Sequence, residues 1–187
     1  DPVNAIKGYD LPVSAFTGYE DGTMDNGGTA YEKRGVANYV PEWIDENCIQ
    51  CNQCAFACPH AVIRPFLLTE EEMANAPEGL VTKKAVGKGL QGLQYKIQIS
   101  TLDCTGCGLC AEVCPGKKGV KALEMSPLHD NLDAGQQDKA DYFFNEVGYK
   151  SDLVEKSKSI KKFSVSSFVK PPHRICGIAS TLYLCCK

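Results

Sequence analysis

The stretch "CIQCNQCAFACP", residues 48–59, spaces four cysteines as C-x2-C-x2-C-x3-C and follows the last with proline; "CTGCGLCAEVCP", residues 104–115, repeats that spacing. Eight of the chain's 11 cysteines lie in these two runs, while Cys176, Cys185 and Cys186 stand apart near the end. Thiols so close in sequence make poor partners in a disulfide framework, which needs particular Cα separations and directions. They converge readily on a metal. Three thiolates at two-residue intervals can hold three corners of one small cluster if the backbone curls around it. The fourth, three residues further on, is read as starting a helix that points it away, toward the group held by the other run.

Two ligand sets follow. One 4Fe-4S cluster takes Cys48, Cys51, Cys54 and Cys114; the other takes Cys104, Cys107, Cys110 and Cys58. Pro59 and Pro115 turn the chain after each fourth cysteine, where a helix interior would not tolerate them. The rival is a pair of structural zinc sites. Those are usually built from two Cys-x-x-Cys knuckles across a loop, not from three cysteines in seven residues plus a fourth before proline. Gly106 and Gly108 are expected to let the backbone approach cluster sulfide and offer it N–H groups. Ile49, Phe56, Leu109 and Val113 are expected to exclude water.

Other chemistry-bearing residues carry plainer readings. His60 is read as a surface histidine, and Trp43 and Tyr95 as core or strand-face aromatics rather than electron relays. Lys83, Lys84 and Lys88 are read as a solvated loop, and Cys176, Cys185 and Cys186 as incidental thiols. No acid–base or nucleophilic constellation stands out, so no catalytic residue is assigned.

Composition bounds the rest. A chain of 187 residues, 43% hydrophobic and 23% charged, suits one ordinary domain with appendages. A net charge of -3 gives no reason to expect nucleic acid or an anionic membrane as partner. No apolar run approaches the roughly 20 residues that span a bilayer. No secretory signal is visible after Asp1, and the missing Met reads as a fragment or a processed chain.

The fold class predicted is α+β, a bacterial-type two-cluster ferredoxin fold with a pseudo-twofold repeat. An extended N-terminal arm precedes it and a loosely ordered C-terminal tail follows. Residues 1–35 are rich in Gly, Asp, Asn and Thr and form the arm or linker. Residues 36–132 form the cluster domain, with an insertion at 65–98. Strands are predicted in "VANYVPEWI" (36–44), "AVIRPF" (61–66), "VKALEMSP" (120–127) and, half-exposed, "YKIQIS" (95–100). "LTEEEMANAPEG" (68–79) predicts a short helix with Thr69 as N-cap, Glu72 as its capping-box partner and Pro77-Glu78-Gly79 as terminator. Residues 133–187 are read as a tail in which "ADYFFNEVGY" could be helical. Past about residue 160 it reads as truncated or out of frame, since no periodic pattern organises it.

With the cysteines placed, the flanks become informative. "LPVSAF", "DGT", "YEKRG", "VPEWIDENCIQCNQCAFACPHAVIRP" and "LDCTGCGLCAEVCPGKKGVKALEM" together resemble the ferredoxin-type domain of the pyruvate:ferredoxin (flavodoxin) oxidoreductases, from about residue 10 to about 155. The resemblance implies an oxygen-sensitive enzyme that decarboxylates pyruvate on thiamine diphosphate with Mg and transfers the acyl group to coenzyme A. Electrons would leave singly through three 4Fe-4S clusters to ferredoxin or flavodoxin. Two of those clusters would sit here. The thiamine diphosphate, the Mg and the third cluster would lie in parts of the enzyme outside this chain. The implied partners are the remaining domains, ferredoxin or flavodoxin, and further copies in a homo-oligomer, with no nucleic acid and no membrane. Exposed clusters call for a reducing interior, so the cytoplasm or an anaerobic organelle such as a hydrogenosome is expected. A free-standing two-cluster carrier is the alternative.

Overall fold

The fold is seen in a computed structural model that describes residues 2, 5–23, 32–87, 89–148 and 150. It is a small α+β body with two small antiparallel sheets. In one, β1 (Tyr39–Trp43) pairs with β5 (Leu123–Pro127), from Tyr39 opposite Pro127 to Trp43 opposite Leu123. The other has the order β2 (Ile63–Leu68), β4 (Gln94–Ile99), β3 (Lys83–Lys84). Ile63 stands opposite Ile99 and Leu68 opposite Gln94. Pro65 has no N–H for a ladder, and it sits where that costs nothing, on a strand with a free outer edge.

This pairing positions the cysteines. The strand before the first run joins the strand after the second, and the strand after the first joins the strand before the second. Each run therefore crosses from one sheet to the other, and the two meet in the middle. Their short helices, α1 (Gln53–Ala57) and α3 (Leu109–Glu112), pack on each other there. Both helices lie inside the runs. Cys58 ends α1 as its C-cap and Cys114 lies beyond α3, so the fourth cysteine closes a helix instead of starting one. The proline that follows cannot extend the helix, which leaves the fourth thiol at its end.

The insertion folds largely as its local signals predict. α2 (Glu70–Ala74) has a complete capping box: the Glu72 N–H donates to Thr69 Oγ1, and the Thr69 N–H to the Glu72 carboxylate. It ends at Ala74 with Asn75 as C-cap, before the Pro77-Glu78-Gly79 terminator is reached. β4 departs from expectation, because all of its residues after Gln94 are buried. Tyr95, Ile97 and Ile99 join the main core while Gln98, on the opposite face, donates to the Gln136 carbonyl of the last helix. A strand covered on both faces loses the exposure that an alternating pattern suggests.

The body also extends past residue 133. α4 (Leu128–Asp133) and α5 (Gln136–Asn145) follow β5, and α5 buries Ala140 and Phe143. The Phe143 ring lies 4.9 Å from Phe66, and the Tyr142 hydroxyl donates to the Glu72 carbonyl at 2.5 Å. A buried Phe contributes roughly 2 kcal/mol of hydrophobic stabilisation, enough to hold this helix on the body. Residues 136–148, assigned from sequence to the tail, are thus part of the packed domain. The arm is exposed over 5–23, with 3-10 turns at Gly8–Asp10 and Val13–Phe16. Among the described residues it docks at its end, where Lys33 Nζ bonds Ser100 Oγ (3.0 Å) and Asp103 Oδ2 (2.8 Å).

Candidate metal centre

The cysteine runs curl because particular residues adopt left-handed backbone. Gln50 and Asn52 do so in the first run (φ 58° and 62°), and Gly106 and Gly108 at matching places in the second (φ 71° and 73°). The reversals turn N–H groups toward sulfur. The Gln50 N–H donates to Cys48 Sγ and the Gly106 N–H to Cys104 Sγ, both at 3.4 Å, and the Ala122 N–H to Cys114 Sγ at 3.3 Å. Left-handed backbone costs a non-glycine residue about 1 kcal/mol or more. Side-chain bonds offset that cost in the first run. Gln50 Nε2 donates to the Lys84 carbonyl (2.8 Å), Gln50 Oε1 accepts from the Val86 N–H (2.8 Å), and Asn52 Oδ1 accepts from the Tyr95 hydroxyl (2.5 Å). The insertion therefore braces the first cysteine loop. Lys83 belongs to that brace, donating to the carbonyls of Asp45 and Cys48, so the solvated-loop reading fails for it. Lys84 forms β3, and Lys88 lies outside the described residues.

The eight thiols sort into two rings. Cys48, Cys51, Cys54 and Cys114 line one small void walled by Trp43, Tyr95, Ile97 and Leu123. Cys58, Cys104, Cys107 and Cys110 line a second, walled by Pro41, His60, Val62 and Ile63. Among the described residues no three Cys, His, Asp or Glu side chains converge as ligands of a single ion would. A ring of four sulfur donors around a void suits a polynuclear iron–sulfur group better than one zinc ion, so the residues present fit the cluster. Cys176, Cys185 and Cys186 lie outside the described residues.

The thiols feel one another mostly within these rings, and across them from Cys110 to Cys54. Burial, then the charges of Cys48, Cys110, Cys51 and Cys114, push the Cys54 thiol far up. Burial, followed by Cys58 and Cys104, pushes Cys110 up to about 12. Burial also raises Cys48 and Cys104. Buried thiols so close together resist ionisation unless a cation takes the charge, which couples filling of each ring to proton release.

The walls differ from those expected. Ile49, Phe56 and Leu109 are 42%, 47% and 42% exposed, although Ile49 still lines the first void. Strand residues supply much of the apolar cover instead. Sequence reasoning had placed Trp43 and Tyr95 on a core face but missed the cysteines beneath them. His60 is half-buried at the wall of the second void, with Nδ1 buried and unpaired, so it is not a surface histidine. Gly106 is needed for a second reason: a Cβ there would stand 2.9 Å from the Tyr39 carbonyl oxygen.

Lys96 is the unexpected buried charge, 5% exposed with Nζ 4.6 Å from the centre of the Trp43 ring. Burial, reinforced by Lys139, lowers its pKa from 10.5 to about 8. Between those values the unfolded chain binds more protons than the folded one, so stability rises with pH across the window. Below about pH 8 both forms carry the charge and the fold bears the full burial cost, roughly 3 kcal/mol. Lys96→Met should therefore stabilise the protein at pH 7. Anaerobic melting at pH 7, 9 and 10.5 should show the gain shrinking toward zero, and a gain independent of pH would contradict this reading.

Known proteins resemble this chain in sequence. The 4Fe-4S dicluster domain family matches residues 47–118, and a domain of unknown function called EKR matches residues 1–37. The chain is 58% identical over 129 residues to a pyruvate:ferredoxin oxidoreductase of Moorella thermoacetica, a match covering 69% of this chain and 11% of that protein. It is 47% identical over 172 residues to a pyruvate-flavodoxin oxidoreductase of Enterobacter agglomerans, covering 91% of this chain, which carries the match past residue 160, and 14% of that protein. It is also 49% identical over 125 residues to a mitochondrial pyruvate dehydrogenase [NADP(+)] of Euglena gracilis, covering 67% of this chain and 6% of that one. The matched region thus spans between 6% and 14% of the length of these curated relatives.

Proposed function

We propose, from the premise that this chain carries the ferredoxin-type 4Fe-4S dicluster domain of the pyruvate:ferredoxin and pyruvate-flavodoxin oxidoreductases, that it conducts electrons from pyruvate oxidation toward ferredoxin or flavodoxin. One observation carries the proposal. Each void is ringed by three cysteines of one run and the fourth of the other. Cys48, Cys51, Cys54 and Cys114 would hold the first cluster, and Cys104, Cys107, Cys110 and Cys58 the second. A bound 4Fe-4S cluster takes up and gives off one electron at a time.

The chain's own residues do the rest. Their thiolates bind, the N–H groups of Gln50, Gly106 and Ala122 stabilise negative charge on sulfur, and Tyr95, Ile97 and Val62 keep water away. Cys54 and Cys110 sit on packed helices and share one core cluster, and the charge of Cys110 bears on Cys54, so the two voids adjoin, as a short electron path requires. The crossed strand pairing is what a pseudo-twofold repeat would produce.

Thiamine diphosphate, Mg, a third cluster and the remaining domains of a homo-oligomeric enzyme would complete the reaction outside this chain. A cytoplasmic setting, or an anaerobic organelle, would keep the thiols reduced. Relatives many times longer than the matched region favour a built-in domain over a free-standing carrier.

Anaerobic reconstitution tests the proposal. The chain should bind about eight iron and eight sulfide, the content of two 4Fe-4S clusters. It should accept electrons from dithionite and should not oxidise pyruvate alone. Zinc without sulfide would overturn the cluster reading; pyruvate-dependent dye reduction by this chain would overturn the division of labour.

A further inference from the structure

We propose that Trp43 donates its indole N–H to Cys48 Sγ and thereby raises the reduction potential of the first cluster relative to a chain lacking that donor. The inference rests on the cluster reading above and deepens it. Trp43 ends β1, five residues before Cys48, and its ring walls the void ringed by Cys48, Cys51, Cys54 and Cys114. Its Nε1 is buried and makes no hydrogen bond among the described residues. A buried donor without an acceptor is a cost that folded proteins avoid, and Cys48 lines the same void that the Trp43 ring walls, so a sulfur acceptor is at hand once the site is filled.

The ring is held in place and polarised from its other side. The Tyr95 ring lies 6.3 Å away at 59°, and the buried Lys96 ammonium stands 4.6 Å over the indole. A cation over the ring draws electron density from the N–H and strengthens it as a donor. Reduction makes a cluster and its thiolates more negative, so a donor to a ligand sulfur favours the reduced form. In the second run Ile99 occupies the corresponding place, five residues before Cys104, and it offers no donor. Trp43 is therefore a positioning and tuning residue for one cluster alone.

Trp43 is the single tryptophan of the chain, which makes the test site-specific. In the reconstituted chain grown with indole-15N tryptophan, pulsed EPR of the reduced protein should show a 15N coupling to a cluster. Its absence would overturn the bond. In Trp43→Phe, which keeps an aromatic wall, one of the two reduction steps should move to lower potential by about tenfold in its equilibrium, or about 59 mV. The other step should stay in place, and Lys96→Met should move the same step in the same direction. If Trp43→Phe binds full iron and sulfide yet moves neither step, or both equally, the proposal fails. If Trp43→Phe does not load both clusters, the 15N measurement on the unaltered chain decides. If the unaltered chain binds no iron and sulfide, the cluster reading has failed instead.

Discussion

Cys58→Ala should cost the chain half its iron and sulfide, and the cluster lost should be the one whose other ligands lie 46 to 52 residues away, at Cys104, Cys107 and Cys110. The reason is the crossing of the two runs between the sheets. Cys58 caps α1, and its neighbours across the void come from the second run, whereas Cys48, Cys51 and Cys54 face the void that Cys114 completes. A cluster short of one thiolate is left with an open corner beside three sulfurs, two of them buried, which invites loss of iron. Double variants separate crossed from uncrossed ligation. Cys58→Ala with Cys104→Ala should still bind one cluster, because both changes strike the same one. Cys58→Ala with Cys48→Ala should bind none. The reverse pattern in iron and sulfide analysis would show that each run serves its own cluster.

Gly116→Ala should be as damaging without touching a ligand. Gly116 follows Pro115 at φ +56°, and a Cβ there would lie 1.7 Å from the Val120 carbonyl oxygen, 2.4 Å from its carbon and 2.9 Å from Lys121 Cα. All three atoms are backbone, so no side chain can swing aside. The turn they form is closed by the bridge between Lys117 and Val120 and leads to Ala122, whose N–H reaches Cys114 Sγ. Opening it would shift the fourth ligand of the first cluster and the entry to β5 together. A loss of more than about 4 kcal/mol is expected, the range of substitutions that break a special backbone site. Gly92→Ala is the control. Gly92 has a positive φ of +83° but open space around the new methyl, so the change should cost only the left-handed strain, about 1 to 2 kcal/mol. Anaerobic melting of the two variants, with iron content, checks the contrast. Equal stability would mean that the Val120 turn yields more easily than its backbone contacts imply.

The parts of this protein that were legible in the sequence are those governed by local rules. Thr69 and Glu72 announce a capping box because each needs only the other, three residues away. The strands around the runs were legible for a similar reason: apolar residues bounded by turns. β4 was misjudged because its burial depends on α5, forty residues further along, which no window on "YKIQIS" contains. α5 itself was assigned to a polar tail because its buried face needs only Gln137, Ala140 and Phe143, too few to stand out from a charged stretch. Ile49, Phe56 and Leu109 were expected to shield sulfur because they are apolar and adjacent to cysteine. Adjacency in sequence does not set direction: Phe56 and Leu109 sit on short helices that leave them largely exposed.

What the protein can bind is legible in the chain itself, since eight thiols in two identical patterns admit few other chemistries, and short-range spacing does not depend on the fold. Which wall meets which sulfur was decided only by the tertiary structure. The void walls come from strands that reach the cysteines across the pairing of β1 with β5 and β2 with β4, so Trp43, Lys96 and His60 acquire their roles through contacts that no local pattern encodes.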